Sequence, residues 1–165
     1  ENTMLSERIN NALNTQINKE FFSAYLYLSM SNYFNGLGLE GFGHWCKKQA
    51  EEEVSHGMDI FNFLTDLNGK IEFTQITTPE SNFRNPIDTI KEIVSHEKYI
   101  TETIKSITIM AKEENAFTTQ NFLECMLQEQ IEEEKTSYKI YTQLKLFGES
   151  KTAMYLLDKE LAQRK

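Results

Sequence analysis

Proline, glycine and cysteine are scarce in this 165-residue chain, with two, seven and two of each. Both prolines fall between residues 79 and 86, and the glycines sit mostly between Gly36 and Gly43, at Gly69 and at Gly148. Helix breakers are therefore confined to a few places, and long uninterrupted helices are expected between them. Cys46 and Cys125 form neither a C-x-x-C motif nor a disulfide framework. This excludes a thiolate metal site and makes a reducing, cytoplasmic compartment the expectation, with both cysteines read as packing residues. Positive charge is also short: 17 Lys and Arg stand against 25 Asp and Glu, a net charge of -8. There is no basic surplus to neutralise phosphates, so neither nucleic acid nor an anionic membrane is expected as a partner, and acidity suits cations instead. No apolar run approaches the length of a membrane span, and the first residues lack the basic and apolar regions of a signal peptide, so a soluble chain is expected. With 39% apolar and 12% aromatic residues, the composition is that of one globular domain with a sizeable core. Residues 1–3, ahead of Met4, are left outside the fold reading.

The punctuation predicts an all-α chain of five helices, over about 6–34, 39–68, 86–114, 118–147 and 149–164. Ser6 is placed to cap the first, Gly69 to stop the second, and Asn85 followed by Pro86 to cap and open the third. Short connections make the first pair and the second pair antiparallel hairpins. The link over residues 69–85 is longer, 17 residues. It can reach at most roughly 56 Å, against about 43 Å for a helix of roughly 29 residues, so it can run the length of a bundle. A four-helix bundle with one long crossover, the ferritin-like connectivity, is the expected fold.

Stepping three or four residues at a time gives each helix an inward seam. The first seam runs Leu13, Ile17, Glu20, Ala24, Tyr27, Ser31, Phe34, and the third runs Ile90, Ile93, Glu97, Ile100, Ile104, Ile107. On the second helix Gln49, Glu53 and His56 stand between Trp45 and Ile60, and on the fourth Gln130, Glu133 and Ser137 stand between Met126 and Ile140. The interruptions lie near the helix midpoints, and a midpoint stays a midpoint whether the helix runs up or down. Glu20, Glu53, His56, Glu97, Gln130 and Glu133 therefore converge on one layer of the core. Four unpaired carboxylates there would cost several kcal/mol each after relaxation. No lysine or arginine occupies these seams, and a bound cation would resolve the deficit.

Several carboxylates with one imidazole suit iron(II), manganese or zinc, whereas an all-oxygen set favours calcium or magnesium. The i, i+3 spacing of Glu53 and His56 sets both on one helix face, as in carboxylate di-metal bundles, while the matching pair on the fourth helix is Gln130 and Glu133. Two unequal metal positions are expected. A lone E-x-x-H arises often by chance in an acidic helix, and the runs Glu51–Glu53 and Glu132–Glu134 also fit a solvated face. Glu97 and Glu20 do not, because each stands inside an apolar seam. Tyr27 reads as a core aromatic whose hydroxyl seeks a site carboxylate, with a redox role as the sharper reading. His44 and His96 lie off the site and are not read as ligands.

The segments N-K-E-F-F around Glu20, A-E-E-E-V-S-H ending at His56, S-H-E-K-Y around Glu97 and Q-E-Q-I-E-E-E-K from Gln128 resemble the four ferroxidase-centre segments of bacterial-type non-haem ferritins. The similarity covers Met4 to about Leu161. It implies a protein that oxidises iron(II) with oxygen or hydrogen peroxide and stores ferric mineral in a hollow homo-oligomeric cage of 24 subunits. Glu20, Glu53 and His56 would hold the first iron, and Glu53, as the bridge, would hold the second with Glu97 and Glu133, Gln130 lying nearby. Glu52, Glu129, Glu132 and Glu133 match a third iron position on the way to the cavity. Two iron(II) ions sharing a carboxylate can each give one electron to a single oxidant, and a carboxylate-rich shell favours the product iron(III).

The departures are informative. Animal heavy chains have no carboxylate at the position of Glu133; where they place the acids of a three-fold entry channel this chain has Gln120 and Leu123; and Cys125 replaces a tryptophan common in bacterial ferritins. Bacterioferritin would need a second Glu-x-x-His and a haem-ligating methionine where Val54 stands, so no haem is expected. The resemblance leaves a rubrerythrin-like di-iron peroxidase or oxidase as the alternative, disfavoured by the missing C-x-x-C domain and second histidine motif. A metal-free helical interaction protein comes third, since it leaves the buried acids unexplained.

Overall fold

The computed structural model describes residues 4–165, and the described residues form five helices and no strands. These are α1 (Glu7–Gly36), α2 (Glu40–Asp66), α3 (Pro86–Glu113), α4 (Phe117–Phe147) and α5 (Lys151–Leu161). None is long and apolar enough to cross a membrane. Ser6 caps α1 by accepting from the Ile9 amide, and Asn85 caps α3 by accepting from Asp88 with Pro86 at the first helical position. The close of α2 differs from expectation. Asn68, not Gly69, takes the left-handed conformation (φ 56°), which a short polar side chain tolerates. Gly69 is needed for closeness instead, since a Cβ there would lie 2.8 Å from Asn10 Oδ1. The last helix is also shorter than expected: Ser150 is its cap, and the chain leaves the helix after Leu161.

The core is two hydrophobic clusters with a polar layer between them. One gathers Met30 and Phe34 of α1, Phe42 and Trp45 of α2, Ile90 and Ile93 of α3, and Ile140 and Leu144 of α4. The other gathers Ile9 and Leu13, Ile60 and Leu64, Ile100 and Ile104, and Leu123 and Met126. Both α2 and α3 therefore run from the first cluster to the second, parallel to each other, while α1 and α4 run the opposite way. Two consecutive parallel helices force the intervening chain to travel the bundle's full length. It is held there by α1. Asn14 donates to Lys70 O (2.7 Å) and accepts from the Glu72 amide (2.8 Å), Asn10 accepts from the Lys70 amide (2.9 Å), and Asn18 donates to Thr74 Oγ1 (2.9 Å). Side chains one turn apart thus act as the hydrogen-bonding partners of a crossover segment that belongs to no helix or sheet.

The cysteines divide. Cys46 is buried in the first cluster, but Cys125 is exposed, contrary to the expectation that both pack. Cys125 falls between Leu123 and Met126, each of which faces inward, and at roughly 100° per residue its own side chain is turned outward.

Candidate metal centre

The polar layer draws on all four long helices. Glu20, Glu53 and Glu97 are completely buried, Gln130 nearly so, and Glu133 and His56 are partly buried. Glu20, Glu53 and His56 each present a ligand atom within 4.8 Å of the other two. Among the described residues this is the one such group of three or more metal-binding side chains. His56 Nδ1 lies 3.4 Å from Glu53 Oε2, and its Nε2 lies 3.2 Å from Glu129 Oε2. Glu97 and Glu133 stand outside that group, yet both carry charge that bears on Glu53.

Uncharged donors orient these acids. Gln16 Nε2 donates to Glu20 Oε1 (2.9 Å), Tyr27 donates its hydroxyl to Glu97 Oε1, and Gln130 Nε2 donates to Glu97 Oε2 (3.1 Å) and Thr101 Oγ1 (3.2 Å). Gln49 Nε2 donates to Glu133 Oε2 (2.7 Å) and more weakly to the Tyr27 hydroxyl (3.4 Å). Gln16 and Gln49, each one turn ahead of a site glutamate, were not singled out as site residues from the sequence. Their signal is an uncharged amide four residues before a buried acid.

The donors do not suffice. Glu20 Oε2 and Glu53 Oε1 are buried with no hydrogen-bond partner. Burial pushes the Glu20 carboxyl well above the usual range, with the neighbouring Glu53 adding to the rise; burial likewise raises Glu53, next to Glu97. Glu97 is raised by burial, and Glu133 reaches about 7 for the same reason with Glu97 contributing. Tyr27 is held well above its ordinary range by burial and by the Glu97 charge. Orphaned oxygen lone pairs, clustered acids and an imidazole form the donor set that a divalent cation completes.

The remaining predicted residues are placed differently. Glu52, Glu129 and Glu132 are exposed, and each has a polar partner: Glu52 pairs with Arg164 (2.9 Å), Glu129 lies 3.2 Å from His56 Nε2, and Glu132 pairs with Lys135 (3.7 Å). With Glu133 they do not form one compact group. His44 is bonded to Arg164 O (2.7 Å) and His96 to Ser23 Oγ (2.7 Å), both away from the three clustered ligands. Burial lowers His96 to about 4 and so keeps it neutral.

Residues 10–147 match the model of the ferritin-like domain. The chain belongs to the ferritin family. Bacterial non-heme ferritins of Bacteroides fragilis and Staphylococcus aureus are 33% and 34% identical to it over 161 residues, 98% of this chain and 100% and 97% of theirs. Among solved structures, an open pore ferritin from the hyperthermophilic archaeon Archaeoglobus fulgidus superposes with a TM-score of 0.96 at 40% identity, covering 98% of both chains. A humanized archaeal ferritin superposes equally well at 42% identity, over 98% of this chain and 99% of its own. The chain is thus a ferritin of the bacterial non-haem type, an all-α ferritin-like bundle whose function is iron storage.

Proposed function

We propose that this ferritin is a ferroxidase, a single domain over residues 1–165 that takes iron(II) as its substrate. Glu20, Glu53 and His56 hold one iron; Glu53, Glu97 and Glu133 hold the other, with Gln130 beside them. What carries the reading is the pair of orphaned buried oxygens, Glu20 Oε2 and Glu53 Oε1. Glu53 stands between the two sets, within reach of His56 and beside the Glu97 and Glu133 charges, which suits a shared ligand. Two iron(II) ions lose one electron each, and the two electrons with two protons reduce oxygen to hydrogen peroxide, or hydrogen peroxide to water. Carboxylates stabilise the iron(III) product more than the iron(II) substrate, because it is harder and more highly charged. Tyr27, bonded to Glu97, orients that ligand and is an aromatic in contact with the site that can serve a redox role.

Product leaves past Glu52, Glu129 and Glu132, where the incoming ion replaces their present partners at a third position. The mineral accumulates within a cytoplasmic homo-oligomeric cage of 24 subunits, with no haem. Aerobic addition of iron(II), followed by ferric absorbance alongside particle sizing, tests both parts. The expected result is rapid oxidation in a large particle that retains many irons per chain. A small particle that retains two or three irons per chain and no more would sink the cage.

A further inference from the structure

We propose that Arg164 is a positioning residue for Glu52, and that the segment following α5 is a latch that competes with a metal cation for this carboxylate. The inference rests on the ferroxidase reading for the role of Glu52. Residues 162–165 turn back from α5 onto α2. Arg164 Nη2 lies 2.9 Å from Glu52 Oε2, and its Nη1 donates to Trp45 O (3.2 Å). Its guanidinium stands 5.1 Å from the Trp45 ring centroid, while its own carbonyl accepts from His44 (2.7 Å). With its side chain only 21% exposed, this arginine is fixed by a stacked face, a backbone acceptor and a carboxylate at once. That separates it from ordinary surface pairs, which hold little.

Both of its contacts lead to the centre. Glu52 directly precedes the site ligand Glu53 on α2 and its charge bears on both Glu53 and Glu133, and Trp45 packs edge-on against Tyr27, whose hydroxyl meets Glu97. The Glu52 side chain is 46% exposed, so an arriving cation can reach it. Cation and guanidinium cannot occupy the same carboxylate oxygen. The latch therefore sets how readily the edge of the centre accepts an ion.

The test uses the full-length assembled protein and zinc(II) as probe, with binding followed by calorimetry and by the emission of Trp45, the single tryptophan. In wild type, the expected result is a tight pair of ions per chain and a weaker edge ion whose binding changes Trp45 emission as Arg164 is displaced. Arg164→Ala should leave the tight pair unchanged and tighten the edge ion by about tenfold, the effect of removing one positive charge at short range from a dication in a watery setting. Arg164→Lys, which keeps the charge without the fork or the stack, should fall between the two. Adding Glu52→Gln to Arg164→Ala should abolish the gain, and Glu52→Gln alone should abolish the emission change. An edge affinity unaltered in Arg164→Ala, or a gain that survives Glu52→Gln, overturns the latch while the tight pair still stands. Absence of the tight pair in wild type defeats the ferroxidase reading, and the latch with it.

Discussion

Glu20 Oε2 and Glu53 Oε1 are buried oxygens with no donor, and a buried group left in that state costs roughly 1–3 kcal/mol, more when charged. Evolution of a stable core would replace such residues by leucine unless an ion used them. Glu53→Ala and His56→Ala are accordingly expected to slow iron(II) oxidation by about a hundredfold or more, since a lost ligand is worth several kcal/mol. Assembly should be unchanged, because neither side chain supports the outer surface. Stopped-flow absorbance at wild-type speed in either variant would refute the assignment. Gln49 gives a subtler test. Its hydrogen bond lowers the Glu133 carboxyl, which burial even so lifts to about 7. Gln49→Leu should therefore raise Glu133 further, and because a ligand must be deprotonated, the pH profile of oxidation should move to higher pH. A profile that stays in place, or moves down, contradicts the role. The site acids were legible in the sequence because charge inside an apolar seam is conspicuous. Gln16 was not, and Gln49 was legible only as an inward polar position, because a neutral amide does not reveal its role until its partner is known.

At the scale of elements, what is local was readable and what is distant was not. Ser6, Asn85 and Pro86 act on amides within a few residues of themselves, so their roles follow from order along the chain. Asp158 acts across 116 residues: its Oδ1 accepts from the Phe42 amide and caps the start of α2, where Leu39 offers no side-chain cap. Nothing near Leu39 announces this. The same is true of Asn10, Asn14 and Asn18, which look like poor helix formers until the crossover they bind is seen. The α2–α5 contact is close enough that a Cβ on Gly41 would stand 1.7 Å from Asp158 O. Gly41→Ala should therefore unseat α5 and destabilise the fold by about 2–4 kcal/mol, within the range for overpacking a close contact. Thermal melts check the loss, and proteolysis after α4 checks that α5 is the element released. Asn14→Ala should cost about 1–3 kcal/mol, chiefly by leaving the Glu72 amide without its acceptor while Asn10 still donates to Lys70 O, and leave α5 protected from proteolysis, so the two variants differ by location as well as by size.

In the whole molecule the acid layer, with its unpartnered oxygens, separates two buried apolar clusters, and so the place where the ions bind is also where the metal-free fold is weakest. The pH dependence follows from the directions of the shifts. Glu20, Glu53 and Glu97 are raised by burial, and Glu133 is raised to about 7. A carboxyl whose folded value lies above its unfolded value binds more protons when folded, so its stabilising contribution is complete below about 4.5 and is lost as pH rises through the folded value, about 7 for Glu133. His96, lowered to about 4, acts in the opposite sense, since the unfolded chain gains its proton first as pH falls below about 6.5. It is common to both metal-free and loaded protein, however, and cancels in their difference. A divalent cation replaces the protons on the acids, so its effect grows as those protons become harder to keep. The gap in Tm between zinc-loaded and metal-free protein is therefore expected to widen by at least about 5 °C from pH 5 to pH 7. Loading at pH 6 should also release protons into an unbuffered solution, as metal binding to protonated carboxylates requires. Calorimetric melts at three pH values measure the gap and a pH-stat measures the release. A gap that is constant with pH, with no proton released, would mean that the buried acids are already ionised and that something other than a cation keeps them in the core.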